Sequence, residues 1–332
     1  MTNNTKTKGM LLAAFGGGLW GFSGVMAQLI LDYGISAEWL VSCRMMLGGL
    51  CILVYSWLKH DDVLAVFRNK FAITRLVCFA FLGMGFVQYT FFKTIECSTA
   101  SLATIIQFTA PVMLYVYELI RGYKQLRLLD LSLILAAIFG VVLLVTDGHF
   151  SRLNVSSTAL FFGLACALGV VLYTLLPQPL IVRYGAAPVV GFGMLIAGAA
   201  FQFVSPLYSL NVPLDGKLFA YLFVTITFGT AVAFLAYLQS TMYIPSSMAS
   251  LFTALEPLLV SVFSIFIFGK CFTVAEITGI VIIIAAILLF SKVSQGQSKV
   301  ATSNAEPSKT AQNAEPAKTA QNAEPSKTAS KD

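Results

Sequence analysis

The sequence predicts an all-helical integral membrane fold in which ten transmembrane helices form two inverted five-helix repeats. Three observations lead to this prediction: a very apolar composition, ten apolar segments of spanning length, and a similarity between the two halves of the chain. Of the 332 residues, 58% are hydrophobic and 11% are charged, whereas a soluble domain is about half apolar and about a quarter charged. So few charges could not solvate a water-facing surface, and a lipid bilayer is therefore the expected surrounding.

Ten apolar segments follow one another along the chain. About twenty helical residues cross the hydrocarbon core, and a helix satisfies its own backbone hydrogen bonds there. The segments lie near residues 10–31, 39–58, 73–95, 99–120, 129–146, 157–176, 188–208, 217–241, 246–268 and 273–291. The first has no clear signal-peptide cleavage site, so we expect it to be retained as a helix.

The distribution of lysine and arginine predicts the orientation. With a cytoplasmic N-terminus, the inside set is Lys6, Lys8, Lys59, Arg68, Lys70, Arg75, Arg121, Lys124, Arg127, Arg183 and the segment from Lys292, and the outside set is Lys93, Arg152, Lys217 and Lys270. Cytoplasmic connections are enriched in these residues. Both termini are therefore expected in the cytoplasm, at a plasma membrane that we expect to be bacterial. The net charge of +6 is explained by this bias and does not indicate nucleic-acid binding.

The two halves of the chain resemble each other. A shift of 146 positions superposes Ser101 on Ser247, Ala103 on Ala249, Pro111 on Pro257 and Asp130 on Glu276. Five helices per repeat is an odd number, so the second repeat must enter the membrane from the opposite side. Inverted repeats of this kind recur in secondary transporters, where the substrate binds between the halves.

These patterns divide the chain into four parts. They are a cytoplasmic N-terminus (1–9), a first five-helix repeat (10–146), a second (157–291), and a cytoplasmic tail (292–332). The tail contains a nine-residue repeat that begins at Asn304, Asn313 and Asn322. After Val300 the tail lacks aromatic and large aliphatic residues, and it carries proline in every copy of the repeat, so we expect it to be disordered.

Pro111 and Pro257 lie about halfway along their helices. A proline removes an intrahelical hydrogen bond and frees carbonyl groups. Matched interruptions in the two halves of an inverted repeat point to a central binding site, although a simple packing kink is the alternative.

Glu256 is the candidate for proton coupling. A charge at the bilayer centre costs about 2.5–3.5 kcal/mol on insertion scales, so this carboxyl should face a wet cavity, be paired, or be protonated. The alternative is a neutral carboxyl that stabilises the kink at Pro257. Arg44 could bind a substrate carboxylate through its planar fork of donors, or could instead snorkel to the headgroups or pair with Glu38.

Uncharged polar side chains also interrupt the apolar segments. Gln28, Gln88, Gln107 and Gln239 could each orient a substrate or link helices. Trp20 lies deeper than the tryptophans at helix ends and could line the cavity. Glu118 is expected to be a solvated or paired gate residue rather than a ligand.

Several of these segments together resemble a known family. They are LWGFSGVMAQ (Leu19–Gln28), CRMMLGGL around Arg44, the paired TAPV and LEPLL segments, and FGKCFTVAEITG (Phe268–Gly279). Their order and spacing are similar to those of the drug/metabolite transporter superfamily, and of its EamA-like family in particular. The resemblance implies a ten-helix fold with a central cavity, and the secondary-active export or exchange of small polar metabolites such as amino acids. The chain departs from the family at Gln28, where a lysine is frequent, and at Lys270, where an acidic residue is usual.

Two other classes of protein are the alternatives. An intramembrane enzyme would need an acid–base or nucleophilic set, but His60 and His149 lie in connections and no HExxH motif occurs. An intramembrane scaffold or sensor would normally carry a soluble effector domain. No cofactor or metal is expected, and the six cysteines are interpreted as free thiols. The expected partners are the lipid bilayer, a small-molecule substrate and, as a coupling ion, the proton; the oligomeric state does not follow.

Overall fold

The computed structural model describes residues 3–98, 100–152, 155–269 and 271–304, and its long regular elements are all helices. The apolar helices are α1 (Asn4–Leu31), α2 (Ala37–Leu58), α3 (Lys70–Cys97), α4 (Leu102–Ile120), α5 (Leu128–Thr146), α6 (Ser157–Tyr184), α7 (Ala186–Phe201), α8 (Gly216–Ser240), α9 (Ser246–Ile267) and α10 (Val274–Val293). Within the described residues, nine of them are long and apolar enough to cross a membrane, whereas α7 has only 16 residues.

Three helix boundaries differ from the sequence-based expectation. Helical structure begins at Asn3 instead of residue 10, and after α10 it continues to Asn304 instead of ending at 291. The helix α7 ends at Phe201, although the apolar segment continues to residue 208. Pro206 explains this early end, because proline disfavours helical backbone in the residue before it and has no N–H to donate. The tail is predicted to be disordered over residues 292–332, and of these, residues 305–332 lie outside the described part of the chain.

Four of the helices have irregularities that occur in matching pairs, and α6 has a further turn at residues 176–177 that has no counterpart in α1. A π-helical segment interrupts α3 at Phe79–Gly85 and α8 at Thr227–Val232. A turn interrupts α4 at residues 108–109 and α9 at residues 253–254. Each turn comes just before a proline, Pro111 or Pro257, whose missing N–H cannot continue the helical ladder.

The helices α2 and α7 cross at very short distance and run antiparallel. A Cβ atom on Gly198 would lie 2.6 Å from the Met46 nitrogen, and one on Gly191 would lie 2.8 Å from the Leu53 side chain. The later residue of α7, Gly198, therefore faces the earlier residue of α2, Met46, which shows that the two helices run in opposite directions. Glycine permits this approach, as small residues commonly do where membrane helices cross.

The remaining helices pack in an exchanged pattern between the two halves. The first-half helices α3 and α4 pack against α6, and the second-half helices α8 and α9 pack against α1. The helices α5 and α10 pack on each other, where a Cβ atom on Gly279 would lie 2.6 Å from the Gly140 oxygen. This arrangement leaves a space at the centre that residues from both halves surround.

Candidate functional site

The space at the centre is a cavity of about 150 Å³. Aromatic side chains form much of its wall, namely Trp20, Phe91, Phe108, Tyr173 and Phe234. Polar side chains complete it, namely Arg44, Gln88, Gln107, Ser250, Thr253 and Glu256. Small-molecule sites commonly combine aromatic and apolar walls with polar groups that fix the orientation of the ligand.

The breaks in α4 and α9 bring several of these groups to the cavity. Gln107 ends the first half of α4, and Pro111 lies in the first turn of its second half. Thr253 lies in the break of α9, and Glu256 is in the first turn of the half-helix that follows. The two broken helices therefore supply polar residues to the same cavity from opposite halves of the chain.

Arg44 reaches the cavity from α2 and is held by α8. Its Nε donates to the Thr230 Oγ1 at 2.9 Å, and its Nη2 donates to the Gly229 oxygen at 3.5 Å. Arg44 forms no ion pair with any carboxylate among the described residues. Its positive charge is therefore left without a counter-charge in contact.

Glu256 lies on the cavity wall contributed by α9. Its backbone N–H donates to the Thr253 oxygen at 2.9 Å, which is the carbonyl that Pro257 cannot use. In the described part of the chain, its carboxylate has neither a hydrogen bond nor an ion pair. The cavity thus contains one positive and one negative side chain that do not neutralise each other by contact.

Aromatic packing closes one side of the cavity. The ring of Trp20 lies 4.9 Å from that of Phe234 and 5.2 Å from that of Tyr237, measured between centroids. Tyr237 is fully buried, and its hydroxyl is 3.1 Å from the Thr174 Oγ1. This layer separates the cavity from the end of the bundle at which α4 ends and α9 begins.

A buried ion pair fastens that same end of the bundle. Glu118, at the end of α4, accepts from the Ser247 N–H at 2.9 Å and from its hydroxyl at 2.5 Å. The Lys124 Nζ lies 3.3 Å from the Glu118 carboxylate, and the two side chains are only 12% and 6% exposed. We call Glu118, Lys124 and Ser247 the α4–α9 clamp. It joins the end of one broken helix to the start of the other.

Comparison with known proteins identifies the family. The sequence profile of the EamA-like transporter family matches residues 7–146 and 157–292. The chain belongs to this family. It is accordingly a multi-pass protein of the lipid bilayer, and the resemblance that its motifs suggested is confirmed.

The relatives of this EamA-like transporter agree with its membership. A protein of Salmonella typhimurium (strain LT2), named "Uncharacterized inner membrane transporter YicL", is 32% identical over 298 residues, which cover 89% of this chain and 98% of the relative. A solved crystal structure superposes with a TM-score of 0.72 at 13% identity, covering 88% of this chain and 99% of the other. At that identity the structure supports the fold alone.

Five of the eight residues predicted to line the cavity of this EamA-like transporter lie on its wall, and three do not. On the wall are Trp20, Arg44, Gln107, Pro111 and Glu256. Of the others, Gln28 has an exposed side chain, Gln239 donates to the Tyr243 hydroxyl at 3.3 Å, and Pro257 is buried. A role in substrate binding remains a prediction for the five.

Several wall residues were missing from the sequence-based site. Tyr173 and Phe234 resemble any other aromatic residue of an apolar helix, and their sequence offers no distinguishing signal. Thr253 had a usable signal, because the 146-residue shift places it on Gln107. Thr230, the partner of Arg44, was also missed, since the π-helical segment that presents it has no recognisable sequence pattern.

Proposed function

We propose that this EamA-like transporter carries small zwitterionic metabolites such as amino acids across the membrane, as a secondary-active exporter or exchanger. The observation that carries the proposal is the pair of opposite charges, Arg44 and Glu256, that line one cavity without a contact ion pair between them. A zwitterion offers a carboxylate for the guanidinium and an ammonium group for the carboxylate. The aromatic walls suit an apolar portion of the substrate, which would lie between the two charges.

The fold that we propose is ten transmembrane helices in two inverted five-helix repeats, covering residues 10–146 and 157–291. The paired irregularities of α3 with α8 and of α4 with α9 support it. The exchanged packing against α1 and α6 supports it too, because a two-fold relation between the halves would produce that exchange. The antiparallel crossing of α2 and α7 is what opposite insertion of the two halves requires.

Alternating access follows from this arrangement as the proposed mechanism. In an inverted-repeat carrier, the halves exchange conformations and expose a fixed central site to one side and then the other. With both termini in the cytoplasm, the α4–α9 clamp and the layer at Tyr237 would close the cytoplasmic side in the conformation described here. Opening that side would require the Glu118–Ser247 contacts to break.

Glu256 would couple transport to protons. Its carboxylate has no partner of its own among the described residues, so it is free to bind either the substrate ammonium group or a proton. Competition between those two ligands for one carboxylate would link substrate release to proton uptake. Export would then use the proton gradient by exchanging an outgoing substrate for an incoming proton.

Uptake into proteoliposomes tests the proposal. The purified protein would be screened with the radiolabelled proteinogenic amino acids, and at least one should show saturable uptake. Arg44→Ala should raise the KM of that amino acid by at least about tenfold, because the lost hydrogen bonds involve a charged group. Gln28→Ala, on an exposed face away from the cavity, is the matched control. The proposal fails if no amino acid is transported, or if Arg44→Ala and Gln28→Ala behave alike.

A further inference from the structure

The π-helical segment of α8, Thr227–Val232, presents one hydroxyl to the binding cavity's arginine. The Thr230 Oγ1 donates to the Thr225 oxygen at 2.9 Å, five residues earlier, which is a spacing that the wider π-helical turn allows. A hydroxyl has a single hydrogen. Since that hydrogen is used within α8, the oxygen can only accept from Arg44, and it does so at 2.9 Å from Nε.

This contact determines which donors of Arg44 remain available. Nε is occupied by Thr230, and Nη2 makes only a long 3.5 Å contact with the Gly229 oxygen. The other N–H groups of the guanidinium have no partner among the residues that the structure describes. A guanidinium held by Nε therefore offers its two Nη atoms, the end-on edge of the fork, to a carboxylate in the cavity.

The group that accepts the hydrogen bond from Arg44, the Thr230 hydroxyl, is neutral. The Lys124 charge in the α4–α9 clamp is met by the Glu118 carboxylate at 3.3 Å, and it has little attraction left for a ligand. A threonine hydroxyl fixes the direction of Arg44 without cancelling its charge. Positioning by Thr230 therefore keeps Arg44 attractive to an anion, which a carboxylate in the same place would not.

The positions equivalent to Arg44 and Thr230 in the other repeat hold apolar residues. A shift of 146 positions takes Arg44 to Val190 in α7 and Thr230 to Met84 in the π-helical segment of α3. Both are fully buried, and α7 packs on that segment as α2 packs on the segment of α8. Helix packing at this crossing therefore does not need a polar pair, and the Arg44–Thr230 contact requires another explanation.

We propose that Thr230 is the positioning residue that sets the orientation of Arg44 for recognition of a substrate carboxylate. This inference rests on the proposed function, of which it deepens one part. It implies that the carboxylate end of a substrate lies at the α2–α8 side of the cavity. Its ammonium end then lies at the α9 side, where Glu256 stands.

Kinetics of three variants test this role. With L-leucine as the probe, Thr230→Val should raise KM about tenfold and leave the maximal rate within about twofold. Thr230→Ser keeps the hydroxyl and should restore the wild-type KM. Thr94→Val is the matched control, because Thr94 is fully buried and its hydroxyl donates to the Thr90 oxygen of its own helix, which is its one side-chain hydrogen bond among the described residues. Equal KM values for Thr230→Val and the wild type would overturn the proposal, as would a failure of Thr230→Ser to restore KM.

Two analogues of leucine distinguish a change in the orientation of Arg44 from a general distortion of the cavity. Inhibition by 4-methylpentanoate, which keeps the carboxylate, should weaken about tenfold in Thr230→Val. Inhibition by 3-methylbutylamine, which keeps only the amine, should not change. Equal weakening of both inhibitors would show that Thr230→Val disturbs the whole cavity, and would contradict the proposal.

A measurement without substrate separates this inference from the proposed function. Phenylglyoxal modifies the Nη atoms of arginine, and mass spectrometry of the Arg44 peptide gives the rate. Thr230→Val should change that rate by at least about threefold, because Nε loses its anchor, whereas Thr230→Ser should match the wild type. If the protein transports no amino acid but these rates differ as stated, the proposed function fails and the positioning role stands. Equal rates in all three proteins overturn the positioning role.

Discussion

Gly49 of α2 lies directly against Leu195 of α7, and the two residues are 146 positions apart in the chain. That separation is the same shift that superposes the two halves of the sequence. A residue that contacts its own equivalent marks the point through which a two-fold relation between the halves would pass. The crossing of α2 and α7 is therefore the contact at which the two halves meet most symmetrically.

Substitution at Gly49 should disrupt this crossing. A Cβ atom there would lie 2.7 Å from the Leu195 nitrogen and 2.8 Å from the Gly191 oxygen, and backbone atoms cannot move aside as a side chain can. Gly49→Leu should cost at least about 1–3 kcal/mol of stability, seen as a lower melting temperature in detergent. Gly216→Ala, where a Cβ atom meets open space, is the control. Equal melting temperatures for the two variants would contradict the close contact.

Removing the carboxylate of Glu256 should abolish proton coupling. In the wild type, an imposed pH gradient across the proteoliposome membrane should accelerate transport of the amino acid. Glu256→Gln should make the rate independent of that gradient, because an amide neither gains nor loses a proton in this pH range. A gradient response that persists in Glu256→Gln would place the coupling group elsewhere.

The α4–α9 clamp should control opening of the end that it fastens. Glu118→Gln leaves the Lys124 charge buried without a counter-charge, which typically destabilises a contact by about 3–5 kcal/mol. A cysteine placed at Ser250, in a background without the six native cysteines, should then react faster with a maleimide supplied from the cytoplasmic side. Glu96→Gln, which breaks an exposed pair with Lys93, should leave the reaction unchanged. If the α4–α9 clamp does not control access to the cavity, the maleimide should react at equal rates in the Glu118→Gln and Glu96→Gln variants.

The proposed orientation can be read from a native thiol. Cys271 is exposed in the connection between α9 and α10, which lies outside the cell if both termini are cytoplasmic. A membrane-impermeant maleimide should label intact cells, and Cys271→Ser should remove most of that signal. Cys51→Ser, whose thiol lies at mid-helix on the surface of α2, should not. Labelling only after the membrane is broken would reverse the orientation.

Much of this architecture is accessible from the sequence, for identifiable physical reasons. Charged groups such as Arg44 and Glu256 are costly in hydrocarbon, so their presence in apolar segments already indicates a wet or paired site. A proline beyond the first turn of a helix interrupts the hydrogen-bond ladder, so the breaks of α4 and α9 could be expected near Pro111 and Pro257.

Other features could not be predicted. Neutral polar side chains such as Gln28 and Gln239 are tolerated on several helix faces, and hydropathy does not tell which face turns inward when both faces are apolar. The π-helical segments depend on packing against neighbouring helices, and for this reason the contact between Arg44 and Thr230 appears only in three dimensions. The early end of α7 is determined by Pro206 and not by the length of the apolar segment, which continues to residue 208.

The apolar equivalents of the charged residues bear on the side of the membrane to which the empty carrier opens at rest. Val190 corresponds to Arg44, and Ala110 corresponds to Glu256, so the backbone repeats while the electrostatics do not. If the halves exchange shapes during a cycle, the two resting states are unequal in energy even without a gradient. The side chains then determine which of the two resting states is more populated. Its preferred resting side could be redesigned by moving charge between equivalent positions, with the helices left as they are.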